Sequence, residues 1–296
     1  MAVIVVGVDF TPYSRSALRQ ALRIAASRGA VVQAVHVIET LVVVDLEEAL
    51  GAFQAGIREG LVRDAGKAWR EFTADIPEAS ALDLAVEIDH PVSAMVRQVR
   101  ERSAELLVLG THGTVPAERG AGTLATACVR KAPGDVLLVR DPQVGPFRSV
   151  VACIDFSPVS LRALEQAVRM ARQDHAVLHV LHVLDAPWTR LHYRAPTPQA
   201  SPDYQKQYRD SLRRRLEAFC EVHQREMAEL ESRYSLLEFV GPSAGIVEFV
   251  QQVGGDLVVL GTQGRSGLRD MLLGSTAERV LREALCSILA VKPHGP

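Results

Sequence analysis

The sequence predicts an α/β chain: two tandem, doubly wound, mostly parallel five-stranded sheets, each flanked by helices. Three observations carry this expectation. The chain repeats itself, each repeat alternates strand and helix patterns, and the strands read as short, nearly continuous apolar runs. VIVVGVDFTPYSRSALRQAL at residues 3–22 recurs as SVVACIDFSPVSLRALEQAV at 149–168, setting Asp9 against Asp155 at an offset of 146. AVHVIE, with His36, recurs as VLHVLD, with His182, again at 146. ELLVLGTHG, holding Gly110, recurs as DLVVLGTQG, holding Gly261, at 151, and the block from Gly122 answers the block from Gly274 at 152. Four blocks in one order, with an offset that drifts only by loop insertions, define a duplication. RDPQVGPFR at 140–148 punctuates the end of the first copy, giving domains at 1–141 and 148–296.

The elements follow in order. Val3–Val8 is apolar and rich in β-branched residues, which suits a strand covered on both faces. Thr11-Pro12, matched by Ser157-Pro158, supplies an N-cap and a proline at the first helical position. Leu18, Leu22 and Ala25 then share a helical face, and Gly29 ends the helix. A second strand reaches Val37 (Val183 in the second copy). Helical regions follow at Leu46–Thr73 and Asp203–Tyr234, then third strands at Leu82–Ile88 and Leu236–Val240. Helices at Ser93–Arg102 and Ala244–Val253 lead into strands Leu106–Leu109 and Leu257–Leu260. A fourth helix and a last strand, Val136–Val139 or Ile288–Val291, close each copy. Such alternation argues for parallel sheets. Asp185–Asp203, with Pro187, Pro196, Pro198 and Pro202, reads as a surface loop, and the apolar Leu41–Val44 as a candidate interface.

At 48% hydrophobic and 23% charged, each half can build a full core. A net charge of −2 opposes a main role in gripping nucleic acid. Arg213–Arg215, with Glu217 and Glu221 nearby, reads as a solvated helix face. The N-terminal apolar run breaks at Asp9, too short for a membrane span and without signal-peptide flanks. Cys128, Cys153, Cys220 and Cys286 form no CxxC or CxxH spacing, so no zinc site or disulfide framework is expected, and a cytoplasmic protein fits.

In an open parallel sheet, ligands bind beyond the carboxyl ends of the strands. There each copy brings together Asp9 (Asp155), Val37 (Val183) and a glycine-rich loop. In the second copy the loop runs Gly261-Thr262-Gln263-Gly264, nine residues, then Gly274-Ser275 at a helix start. Glycines admit phosphate oxygens close to main-chain amides, and a helix N-terminus adds unpaired donors with partial positive charge. Ser275 can donate a further bond and cap that helix. The aspartates have two readings, as acceptors for a ribose or adenine and as caps for the following helix. His36 and His182 read as sheet histidines with satisfied hydrogen bonds. His112 has Gln263 as its counterpart, so no base recurs in both copies. Gly120-Ala121-Gly122-Thr123-Leu124-Ala125 fits a dinucleotide fingerprint but does not directly follow a strand. GxxxxGK[ST], GxSxG and HExxH motifs are absent.

These motifs resemble the universal stress protein family, whose ATP-binding members carry G-x2-G-x9-G-[ST] after the fourth strand and an aspartate after the first. The resemblance covers the chain twice, as in tandem members, and implies an adenine-nucleotide α-hydrolase-like fold. It implies that Asp155 and Val183 contact adenosine, while Gly261, Gly264, Gly274 and Ser275 hold phosphates. The counterparts in the first copy are Asp9, Val37, Gly110, Gly113, Gly122 and Thr123. That copy departs from the pattern: eight residues, including Pro116, separate Gly113 from Gly122, and His90-Pro91 replaces Gly241-Pro242. A missing residue is expected to re-route the loop and re-aim its amides, making the second copy the stronger site. The resemblance further implies ATP, with Mg²⁺ as companion ion, and a nucleotide-dependent regulatory role in stress response with at most slow hydrolysis. It also implies that the two copies pair through their last strands as an internal pseudo-dimer, which forms a homodimer. The alternative is a tandem member that binds no nucleotide and serves as an interaction module. Enzymes of the wider superfamily need SGG-type or HIGH-type motifs, and neither is present.

Overall fold

The structure, a computed structural model, describes residues 1–50, 56–113, 120–186, 188, 201–264 and 273–293. It divides into two compact units, Met1–Gly145 and Pro146–Pro296.

In the first unit β1 (Val3–Gly7) leads through α1 (Pro12–Arg28) to β2 (Val31–Glu39). Then come α2 (Thr40–Leu50), α3 (Ile57–Thr73), β3 (Leu84–Asp89), α4 (Pro91–Glu101), β4 (Leu106–Gly110), α5 (Thr123–Lys131) and β5 (Asp135–Val139). The strands lie in the order β3-β2-β1-β4-β5, and every pair is parallel. β1 is central because both faces are covered: Ile4, Val5 and Val6 are fully buried, which explains the unbroken apolar run. Thr11 caps α1, its side chain accepting from the Ser14 amide, and Gly29 ends the helix in the left-handed region. Leu18, Ala21, Ile24 and Ala25 form the buried face. Leu22, expected on that face, is only half-buried, because the 3.6-residue period carries the stripe through Ala21 and Ile24 instead.

The second unit repeats the plan with β6 (Ser149–Cys153), α6 (Pro158–Asp174), β7 (Val177–Leu184), α7 (Pro202–Cys220) and the short α8 (Gln224–Met227). β8 (Ser232–Glu238), α9 (Pro242–Gln252), β9 (Leu257–Gly261), α10 (Ser275–Glu283) and β10 (Ser287–Val291) complete it. Its strand order is β8-β7-β6-β9-β10, again all parallel. In both units the chain progresses outward one way through its first three strands and then reverses, so the switch point falls between β1 and β4, and between β6 and β9. In sheets of this topology ligands bind at that point, outside the carboxyl ends of the strands.

Two helical expectations need correction. The stretch expected from Leu46 starts earlier, at Thr40, and a separate helix begins at Ile57 after Gly56 in the left-handed region (φ 75°). The stretch expected to run to Tyr234 ends at Cys220, followed by a single 3₁₀ turn and α8, and Tyr234 belongs to β8. β8 is an outer strand paired only with β7, so its residues are half-exposed and lack the continuous apolar signature of the central strands. Leu41–Val44 forms the first turn of α2, with Leu41 68% and Val42 48% exposed while Val43 is fully buried. The proline-rich segment before Pro202 lies largely outside the described residues. Among the described residues no helix is long and apolar enough to cross a membrane.

Candidate functional site

Beyond β6 the chain reads Ile154-Asp155-Phe156-Ser157. Phe156 adopts φ 64°, and its counterpart Phe10 adopts φ 63°, a region a bulky L-residue enters only when its surroundings compel it. The compulsion is visible. Phe156 packs tilted against the His182 ring at 4.5 Å, and Phe10 does the same against His36 at 4.6 Å. Each histidine is anchored through Nδ1 to the carbonyl just past the first strand, His182 to Ile154 at 2.7 Å and His36 to Val8 at 2.8 Å. Phe219 then closes on Phe156 edge-on at 5.6 Å, as Phe72 does on Phe10.

The reversal at Phe156 turns the Asp155 carboxylate back on the chain. Asp155 Oδ1 accepts from the Ser157 amide at 2.9 Å, and Ser157 in turn accepts from the Ser160 amide at 3.1 Å. In the first unit Asp9 Oδ1 accepts from the Thr11 amide and hydroxyl. Ser157 and Thr11 are therefore the helix caps, and each aspartate braces its cap with one oxygen. The other oxygen lies against the glycine loop. A Cβ added at Gly264 stands 3.1 Å from Asp155 Oδ2, and one at Gly113 stands 3.0 Å from Asp9 Oδ2. Gly261 is tight for a different reason, since a Cβ there meets Val159 Cγ1 at 2.8 Å. Gly110 meets the Tyr13 Cβ at 2.7 Å in the same way.

The Gly274 amide donates to the Thr262 carbonyl at 2.8 Å, closing the neck of the loop. Its donor is thereby used, and the first helical bond of α10 runs from the Glu278 amide to the Gly274 carbonyl. The amides of Ser275, Thr276 and Ala277 precede that bond, at the positions where a helix leaves its first donors without an intrahelical partner. Gly274, with no side-chain cap bond, is the N-cap. Ser275 is the first helical residue and does not cap the helix as expected. The first unit has the same neck, Gly122 amide to Thr111 carbonyl at 2.7 Å, with Thr123 opening α5. The neck bond and the helix start are thus alike in both units, while the expected re-routing of the loop falls on residues, Pro116 among them, that lie outside the described residues. At the next helix entrance the copies do differ, with Gly241 at φ 87° and His90 at −71°.

Asp155, Val183, Gly261, Gly264, Gly274 and Ser275 all line one cavity of about 550 Å³. In the first unit Asp9, Gly113 and Gly122 converge likewise, and Val37 stands in β2 opposite Glu87 of β3. The floor of the cavity includes Cys153, whose thiol is pushed well above its ordinary range by burial, with Cys286 and Asp155 adding to the effect. It is a neutral filler rather than a nucleophile. Burial also raises Cys128 and Cys220, each to about 12. His179 points away from His182, edge-on to Phe249, and desolvation lowers it, with a smaller contribution from Arg233. His112 is buried beside Tyr13, and its Nδ1 lies 3.1 Å from Thr111 Oγ1. Its Nε2 has no hydrogen-bond partner among the described residues, and its pKa is lowered by desolvation first and Arg140 second.

Sequence reasoning missed four contributors. Phe10 and Phe156 recur at the same offset as the aspartates they follow, so the repeat held that signal. Tyr208 and Arg215 also line the cavity, from α7. Arg213, Arg214 and Arg215 are all exposed, as expected of a solvated face, but Arg215 also lays its guanidinium 4.2 Å from the Phe156 ring centroid.

The family model described as the Universal stress protein family matches residues 1–140 and again 146–292. A universal stress protein of Mycolicibacterium smegmatis is 29% identical over 308 residues, covering 98% of this chain and 97% of its own. One from Methanocaldococcus jannaschii is 32% identical over 150 residues, covering 49% of this chain and 82% of its own. A crystal structure of a universal stress protein from Archaeoglobus fulgidus shares the fold with a TM-score of 0.66 at 16% identity, covering 99% of this chain and 98% of that one. With two successive matches to the family and a relative aligned over nearly the full length of both chains, the chain belongs to the universal stress protein family as a tandem-domain member.

Proposed function

We propose that the second unit binds an adenine nucleotide, ATP in the first instance, and that the protein acts as a nucleotide-dependent regulator of the stress response rather than as a dedicated enzyme. One observation carries this reading: the six residues of the G-x2-G-x9-G-[ST] pattern and its aspartate and valine partners line a single cavity of about 550 Å³. That volume is in the range of small-molecule sites. Gly264 leaves room beside Asp155 that any side chain would fill, and the open amides at the start of α10 suit phosphate oxygens. The Asp155 carboxylate suits ribose hydroxyls. Among the described residues no cluster of three or more acidic, histidine or cysteine side chains could hold a metal ion, so Mg²⁺ would arrive on the phosphates. Binding rather than turnover is favoured because His182 is committed through Nδ1 to a carbonyl and the Cys153 thiol is held neutral.

Acid release of small molecules from the purified protein, read by adenine absorbance, tests the reading. A thermal shift on adding ATP and Mg²⁺ is the companion measurement. Gly264→Val is expected to abolish both signals while leaving the fold intact by circular dichroism. No released adenine and no shift in the wild-type chain would overturn the proposal. The interaction-module reading is favoured by one observation, the exposed Leu41 and Val42 on α2, and it gains if the nucleotide signals are absent.

A further inference from the structure

α7 lays Tyr208, Leu212 and Arg215 along one wall of the second unit's cavity, at the 4-and-3 spacing of a single helix face. Tyr208 is braced edge-on by Trp188 at 5.5 Å, and Trp188 donates through Nε1 to Glu238 at 2.9 Å. Arg215 differs from its neighbours in kind. Its guanidinium rests on the face of Phe156, the residue that follows Asp155, and among the described residues it has no hydrogen bond and no ion pair. A guanidinium carries five donors in a rigid fork matched to phosphate oxygens, and a ring face satisfies none of them.

The duplication supplies an internal control. Phe72 and Phe219 occupy equivalent places, each edge-on to the aromatic residue after the aspartate at 5.6 Å. Four residues before Phe219 stands Arg215, and four residues before Phe72 stands Ala68. The first unit does have an arginine on this aromatic cluster, Arg15, 4.5 Å from the Phe72 centroid, but it comes from α1 and is ion-paired to Asp75. One unit thus neutralises its arginine with an acid, and the other leaves its arginine uncommitted beside a cavity that already offers amides to an anion.

We infer that Arg215 is a ligand-contacting, specificity-determining residue of the second unit, donating to a phosphate of the bound nucleotide and selecting nucleoside polyphosphates over the uncharged nucleoside. This inference rests on the nucleotide reading above. The first unit, with Ala68 at that place, lacks the selection.

Calorimetric titration of the full chain with ATP and with adenosine, in an Asp9→Ala background so that the second unit reports alone, tests it. Arg215→Met is expected to weaken ATP binding by roughly tenfold or more, the usual scale for a lost charge-assisted hydrogen bond, with adenosine binding unchanged. Arg213→Met removes the same charge from the same helix at an exposed position that does not line the cavity, and is expected to leave both affinities unchanged. Arg215→Lys, which keeps the charge but loses the fork, is expected to recover part of the loss. Equal ATP affinity in Arg215→Met and its background overturns the inference alone. So does an equal loss in Arg213→Met, which makes the effect one of overall charge. If the unsubstituted background binds neither ligand, the nucleotide reading itself fails.

Discussion

A buried imidazole next to a glycine loop has consequences for acid stability. The ordinary histidine value is 6.5, and desolvation holds His112 below it in the fold. Below 6.5 the unfolded chain therefore binds protons that the folded chain excludes. The contribution of His112 to stability is complete above that value and is lost as pH falls toward the folded pKa. Melting temperature is accordingly expected to drop between pH 7.5 and pH 5.5, and His112→Gln, which installs the residue that the second copy carries at this place, is expected to flatten that slope. An unchanged slope in the variant would assign the acid sensitivity elsewhere, to His179 for instance. At this scale the aspartates and glycines were legible because a repeat exposes positions whose neighbours vary around them. Arg215 was not, since it has no counterpart in the first copy and its role depends on a side-chain direction that spacing alone does not set. The share of Asp155 between bracing a cap and facing a glycine was equally hidden. One carboxylate serves both contacts.

The helices after the first strands connect caps to cores. Ser157 accepts the Ser160 amide, so Ser157→Ala is expected to cost about 0.5–2 kcal/mol in chemical denaturation, with the bond from its own amide to Asp155 preserved. Leu164, fully buried on α6, is expected to cost about 2–5 kcal/mol as Leu164→Ala, and a loss under 1 kcal/mol would mean the site collapses around the gap. Central strands and capped helices were readable because burial on two faces writes a continuous apolar run, and caps use few residue types. β8 was not, since an outer strand with half-exposed residues resembles the end of a preceding amphipathic helix. The early start of α2 was missed for the opposite reason: Leu41–Val44 carries apolar residues on faces the fold leaves open.

Considered as a whole, the chain is a duplication whose halves have diverged at a handful of positions around the site. Val159 and Gln263 in the second unit answer Tyr13 and His112 in the first, and Arg215 answers Ala68. The expected outcome is unequal occupancy. At low ATP, stoichiometry is expected to approach one nucleotide per chain, with Asp155→Ala removing it and Asp9→Ala leaving it in place. Two equal sites by equilibrium dialysis would count against this asymmetry. The duplication itself was plain in the sequence, because four matched blocks in order leave little else to conclude. The divergence acquires meaning only once side chains are seen to meet.

The hydrogen bond from Gly274 to Thr262, and its twin from Gly122 to Thr111, works like a drawstring. Because it joins main chain to main chain, it ignores the identity and the number of residues gathered beyond it, and lengthening such a bight costs little. Ten residues separate Thr111 from Gly122 and eleven separate Thr262 from Gly274, yet each helix begins at the residue after the glycine. The bight is therefore free to change in length or chemistry while the helix start keeps its aim.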